Sequence, residues 1–131
     1  MVKPKAKQGG GPVISVRSRP QPPPRDADDA VAWMPPVDIY EADDHYVLNA
    51  EVPGVEARDI SIEIAGKELS IRGERRFDAV CSEESYQRLE GIRGRFFRTF
   101  SLPERLDAGA IQADLKDGVL EVILPKAQKQ K

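Results

Sequence analysis

From Val37 onward the apolar residues recur at every second position, and that period limits the fold more than any other feature of the chain. Tyr46, Leu48, Ala50 and Val52 alternate with His45, Val47, Asn49 and Glu51. Ile60, Ile62 and Ile64 alternate with Ser61 and Glu63, and Leu69 and Ile71 with Glu68, Ser70 and Arg72. Ile111, Ala113 and Leu115 alternate with Gln112, Asp114 and Lys116, and Leu120, Val122 and Leu124 with Glu121 and Ile123. A period of two sends successive side chains to opposite faces of an extended strand, which no helix does. Each run therefore predicts a strand with one buried face and one largely wet face.

Turn chemistry separates the runs. Asp43-Asp44, Pro53-Gly54, Ala65-Gly66-Lys67 and Asp117-Gly118 fall between successive strands. An Asp-Gly pair between two alternating runs is the preferred two-residue type I′ loop, which needs positive φ at both positions. The segment Pro103 to Ala110 admits one helical turn, and no longer helical pattern appears. The fold class is all-β, an antiparallel immunoglobulin-like β-sandwich.

Composition sets the boundaries. Residues 1–32 hold six of the eleven prolines, the Gly9-Gly10-Gly11 run and no aromatic side chain. They read as a flexible, disordered N-terminal arm, residues 33–126 as the folded domain and 127–131 as a short C-terminal tail. The first 25 residues carry Lys3, Lys5, Lys7, Arg17, Arg19 and Arg25 with no acid, so a chain of net charge −2 carries −8 over the rest. A basic arm suits nucleic acid or anionic lipid. Its composition reads instead as a solvated tail, and nucleic acid is not the expected partner. No run approaches the roughly 18 apolar residues of a membrane span. The N-terminus lacks the apolar stretch of a secretory signal. A single cysteine, Cys81, forms no internal disulfide, and the expected location is cytoplasmic.

Enzyme chemistry finds no parts. The single histidine, His45, stands beside Asp43 and Asp44 at a turn and far along the chain from Cys81. A Cys–His nucleophile also needs a third orienting group and a pocket. Acidic neighbours Glu83 and Glu84 raise a thiol's pKa, which argues against an activated Cys81; an intermolecular disulfide stays open. Neither Gly9-Gly10-Gly11 nor Gly91-Ile92-Arg93-Gly94 makes a phosphate cradle. No catalytic, cofactor-binding or metal-ligating residue is assigned.

Two stretches depart from simple alternation. Arg76–Arg93 is long, polar and charged, with Ser85-Tyr86-Gln87-Arg88-Leu89 at its middle. A structureless loop of that length is unusual inside a compact domain, so a functional insertion or a strand used elsewhere is expected. In the run Phe96, Arg98, Phe100, Leu102, alternation puts a guanidinium on an apolar face. Arg98 needs acidic or carbonyl partners there, or an interface that supplies them.

Together these features resemble the small heat-shock proteins. The family's closing pattern is matched by Ala113-Asp114-Leu115-Lys116-Asp117-Gly118-Val119-Leu120, followed by Glu121-Val122-Ile123-Leu124-Pro125-Lys126. Pro36-Val37-Asp38-Ile39-Tyr40-Glu41 resembles its opening strand, and Ala50-Glu51-Val52-Pro53-Gly54-Val55 its second strand and turn. Leu69-Ser70-Ile71-Arg72-Gly73-Glu74-Arg75 and Phe96-Phe97-Arg98-Thr99-Phe100-Ser101-Leu102-Pro103 complete the set. The resemblance implies an α-crystallin domain of about seven to eight strands. It implies that residues 76–93 form a dimerisation loop, exchanging a strand around Tyr86, Arg88 and Leu89 with a partner subunit, with Arg98 near the interface. It implies an ATP-independent holdase that binds unfolding client proteins, as a homodimer or small oligomer. Ile62, Ile64, Ala113 and Leu115 would line its client and anchor groove.

Two departures bear on assembly. The C-terminal residues Lys126 to Lys131 hold no Ile-x-Ile anchor, and the arm has none of the family's phenylalanines. The arm does hold Ile14-Ser15-Val16, whose spacing matches the absent anchor. Ile14 and Val16 are the candidate groove-docking motif. The alternative function is a CS-type sandwich co-chaperone that docks onto an ATP-driven chaperone. It is separated from a holdase by whether client precipitation is suppressed without nucleotide.

Overall fold

A computed structural model describes residues 5–6, 14–17, 31–76 and 83–127. The readings made of Gly9-Gly10-Gly11, of Cys81 and of the final residues 128–131 lie outside them.

Among the described residues nine strands form two sheets: β1 (Lys5–Ala6), β2 (Ser15–Arg17), β3 (Val37–Glu41), β4 (His45–Glu51), β5 (Ile60–Ala65), β6 (Glu68–Arg75), β7 (Gly94–Ser101), β8 (Gln112–Lys116) and β9 (Val119–Pro125). One sheet runs β1-β8-β9-β4-β3 and the other β2-β5-β6-β7. The seven strands from β3 to β9 are paired antiparallel, while both arm strands join parallel. The described residues contain no α-helix. The expected helical turn before β8 is a 3-10 turn at Ala108–Ala110, capped by Asp107, whose side chain accepts from the Gly109 amide at 3.1 Å.

Alternation put the correct faces inside. Leu48, Ala50, Leu120, Val122 and Leu124 of one sheet meet Ile60, Ile62, Ile64, Leu69, Ile71 and Phe96 of the other, and none is more than 1% exposed. Each of these side chains larger than Ala50 stabilises the fold by roughly 1.5–3 kcal/mol before the entropy of ordering it is counted. The register follows from the turns. Asp117 (φ 55°) and Gly118 (φ 80°) are both left-handed, as a type I′ loop requires, and this sets Leu115 opposite Leu120. A Cβ at Gly118 would also lie 3.1 Å from the Pro53 backbone.

Two positions depart from the rule of one wet face. Val47 points away from the core yet is 3% exposed, because it is flanked in register by Tyr40 and Ile123. Glu63 points away from the core and is 1% exposed. The arm also departs from the solvated tail expected of it. Within its described residues Ile14 is buried in the core cluster, and Ser15–Arg17 are paired to β5.

Candidate functional site: the two open sides of the sandwich

A two-sheet sandwich leaves four sheet edges, and the chain treats them in pairs. Residues 32–36 cross from β7 to β3. The Ala32 amide donates to the Arg95 carbonyl at 2.8 Å, Trp33 Nε1 to the Gly94 carbonyl at 2.9 Å, and the Glu51 amide to the Pro36 carbonyl at 3.0 Å. The edges β3 and β7 therefore lie on one side of the sandwich, and β5 and β8 on the other.

On the β5/β8 side the arm supplies the missing neighbours. β1 pairs with β8 (Lys5↔Gln112, Ala6↔Ala113), and β2 pairs with β5 (Ser15↔Ser61, Val16↔Ile62, Arg17↔Glu63). Both edges thereby gain main-chain partners that would otherwise be open to any extended chain. Ile14, 5% exposed, joins the cluster that contains Ile62, Ile64 and Ala113, while Val16 and Leu115 pack against its margin. Of the six residues named from sequence for the groove and its docking motif, four thus belong to the core cluster and two lie at its margin.

The outer face beside this edge holds a charged pair that the alternation had assigned to water. Arg72 Nε lies 3.0 Å from Glu63 Oε2, and its NH2 group donates to Oε1 at 3.4 Å. Ser61 Oγ adds a 3.4 Å contact to the same carboxylate. The Arg72 guanidinium stacks 4.9 Å above the Phe97 ring. A two-point contact of this kind suits the planar guanidinium, which also stacks well on an aromatic face. The available signal was an Ile-Glu-Ile run whose hairpin partner carries Arg72, but alternation alone does not say which outward residues are covered.

The β3/β7 side is built differently. Arg98, on the inner face of β7 opposite Ile71, is half-buried. Its NH1 group donates to the Pro35 carbonyl at 2.9 Å, and its guanidinium lies 5.0 Å over the Phe100 ring. Of the partners sequence reasoning allowed, a main-chain carbonyl is the one it takes. Trp33 packs edge-on against Phe96 at 5.3 Å. Phe96 in turn fills the space where Gly73 has no side chain, since a Cβ there would lie 2.7 Å from the ring. Beyond β3 no described strand follows, so its outer edge stays open, with Tyr40 56% exposed.

The long loop leaves from the same sheet. Arg76 at its root donates to Asp59 Oδ1 at 2.8 and 3.1 Å, and this hydrogen bond holds the guanidinium pKa above its ordinary value. Glu83–Ser85 form a 3-10 turn, and residues 86–89 take no regular structure in the single chain. Tyr86 is half-buried and Leu89 exposed, while Arg88 pairs with Glu90 at 2.8 Å on the surface. Of the loop residues named from sequence, Arg88 and Leu89 are exposed and Tyr86 half-buried, and none lies in a strand of the single chain.

No group of three or more metal-ligating side chains occurs among the described residues, and no helix there is long and apolar enough to cross a membrane. His45 Nδ1 lies 2.6 Å from Asp44, and that contact lowers the Asp44 pKa.

Comparisons with known proteins agree with this architecture. The chain is 36% identical over 95 residues to spore protein SP21 of Stigmatella aurantiaca (strain DW4/3-1), a match covering 72% of this chain and 56% of that protein. It is 32% identical over 96 residues to the 17.6 kDa class I heat shock protein of Helianthus annuus, covering 72% and 63%. The match thus spans less than two thirds of each of these curated relatives. Among solved structures, hspA from Xanthomonas axonopodis superposes with a TM-score of 0.62 at 41% identity, covering 72% of this chain and 94% of that one. The sequence pattern of the Hsp20/alpha crystallin family matches residues 38–131. With its sandwich, its closing hairpin and these relatives, the chain belongs to the Hsp20/alpha crystallin family.

Proposed function

We propose that the chain is an ATP-independent holdase that captures unfolding proteins along the β5/β8 edges and works as a homodimer in the cytoplasm. Unfolding proteins expose apolar side chains and unpaired strands, and both drive aggregation. A holdase needs a surface complementary to both that does not itself aggregate at rest. The observation that carries the reading is the cover on this edge: an aliphatic sandwich margin closed by arm segments of two and three residues instead of a folded element. Burying Ile14 and Val16 is worth roughly 3–5 kcal/mol before the ordering of the arm is subtracted, so the net hold is weak and the cover reversible. Capture is then an exchange of one added strand for another and uses no nucleotide. The homodimer reading rests on the open β3 edge and the displayed loop. A strand around Tyr86, Arg88 and Leu89 of each subunit would complete β3 of the other, close to Arg98.

The test is light scattering from a thermally unfolding client without nucleotide. The unsubstituted chain should delay client precipitation, and the Ile14→Asp, Val16→Asp double variant should delay it further at equal concentration. If neither chain slows precipitation, the holdase reading is wrong.

A further inference from the structure

The register of the arm strand says what kind of segment the β5 edge accepts. In a paired strand, residues in register share a face. Ile62 faces the core, so Val16 beside it does too. Ser15 and Arg17 then lie on the outer face beside Ser61 and Glu63. The position of Arg17 is therefore next to a carboxylate that is 1% exposed and already clamped by Arg72. Arg17 itself is exposed, so an acidic side chain at that position would meet the Glu63 charge through partial screening by water, and the penalty is that of a like-charge pair at a surface edge. A cation there complements it. Ser15 sits beside Ser61, where the outer face is small and polar, and Ile14 fills an apolar site with 5% of its surface left in solvent.

Building on the reading of this edge as the capture site, we infer that Glu63 makes it selective. The β5 edge takes extended segments of the pattern apolar, small polar, apolar, basic, and Ile14-Ser15-Val16-Arg17 is the chain's own copy of that ligand. The occupant at rest is this arm segment. The occupant during capture is a client stretch in which a lysine or arginine follows two alternating aliphatic residues, and stretches with an acid at the fourth position are disfavoured. Apolar matching supplies the hold, and Glu63 sets polarity and register, since a slip by one residue would turn the aliphatic pair outward.

The experiment uses the full chain bearing Ile14→Asp and Val16→Asp, which frees the edge, and a fluorescent peptide of residues 11–19. Fluorescence anisotropy should show binding to this variant and weaker binding to the unsubstituted chain, whose own arm competes. The Arg17→Glu peptide should bind roughly threefold to fivefold more weakly, the size of an exposed charge pair, and the Arg17→Lys peptide nearly as well as the original. In the full chain, Arg17→Glu alone should speed amide hydrogen exchange over Ile60–Ala65. Equal binding of the original and the Arg17→Glu peptides, or no binding of any peptide, overturns the inference. A chain that shows this selectivity but protects no client supports the selectivity and overturns the holdase reading, so the two fail separately.

Discussion

The two sides of the sandwich solve the same problem in opposite ways. At β5 and β8 the chain covers its own edges with short parallel strands from the arm, and Ile14 completes the core. At β3 and β7 it uses residues 32–36 to lace the two sheets together and leaves the outer edge of β3 without a described partner strand. Unpaired edges invite any extended chain. The contrast therefore separates a side whose strand edges are paired within the chain from a side whose outer strand edge is unpaired among the described residues.

The most drastic way to break this contrast is to remove the loop. Replacing residues 77–92 by a tight turn should convert the proposed dimer to monomers, read by size-exclusion chromatography with light scattering at two concentrations, while the β5/β8 side keeps its arm. A shortened chain that still elutes as a dimer would show that the open edge of β3 is completed by something else. Next in size is Arg72→Ala on the closed side. It strands the buried Glu63 carboxylate, and denaturant unfolding should register a loss of about 3–5 kcal/mol. Adding Glu63→Gln should recover a large part of that loss, because the stranded charge is gone. A loss under about 1 kcal/mol would mean that the pair behaves like an ordinary surface salt bridge. The smallest of the three is Arg98→Ala on the open side. It deletes a charge-assisted bond to the Pro35 carbonyl and a contact with Phe100, for a cost of about 2–3 kcal/mol. If Arg98 also serves the interface, dimer dissociation should rise as well, and an unchanged dissociation constant would confine it to the lacing of its own subunit.

The strands were legible because a period of two is a local property. Alternation over Tyr46–Val52, Ile60–Ile64 and Leu120–Leu124 states which face is apolar, and Asp117-Gly118 states where the chain reverses. Less legible was what lies over an outward face. Glu63 and Val47 share the pattern of wet residues, and both are buried, the first among Arg72 and Ser61 and the second between Tyr40 and Ile123. Arg98 was visible as an anomaly, but its Pro35 partner was not, since a carbonyl more than sixty residues away has no local signature.

By itself the sequence determined the class of fold, the faces of its strands and the hairpin register. Those depend on side-chain period and turn stereochemistry. Only the tertiary structure decided which edge the arm joins, that it joins in parallel, and that Arg17 falls beside Glu63. Parallel pairing brings together residues remote in sequence, and its register follows from the shape of the whole sandwich, which no local pattern encodes.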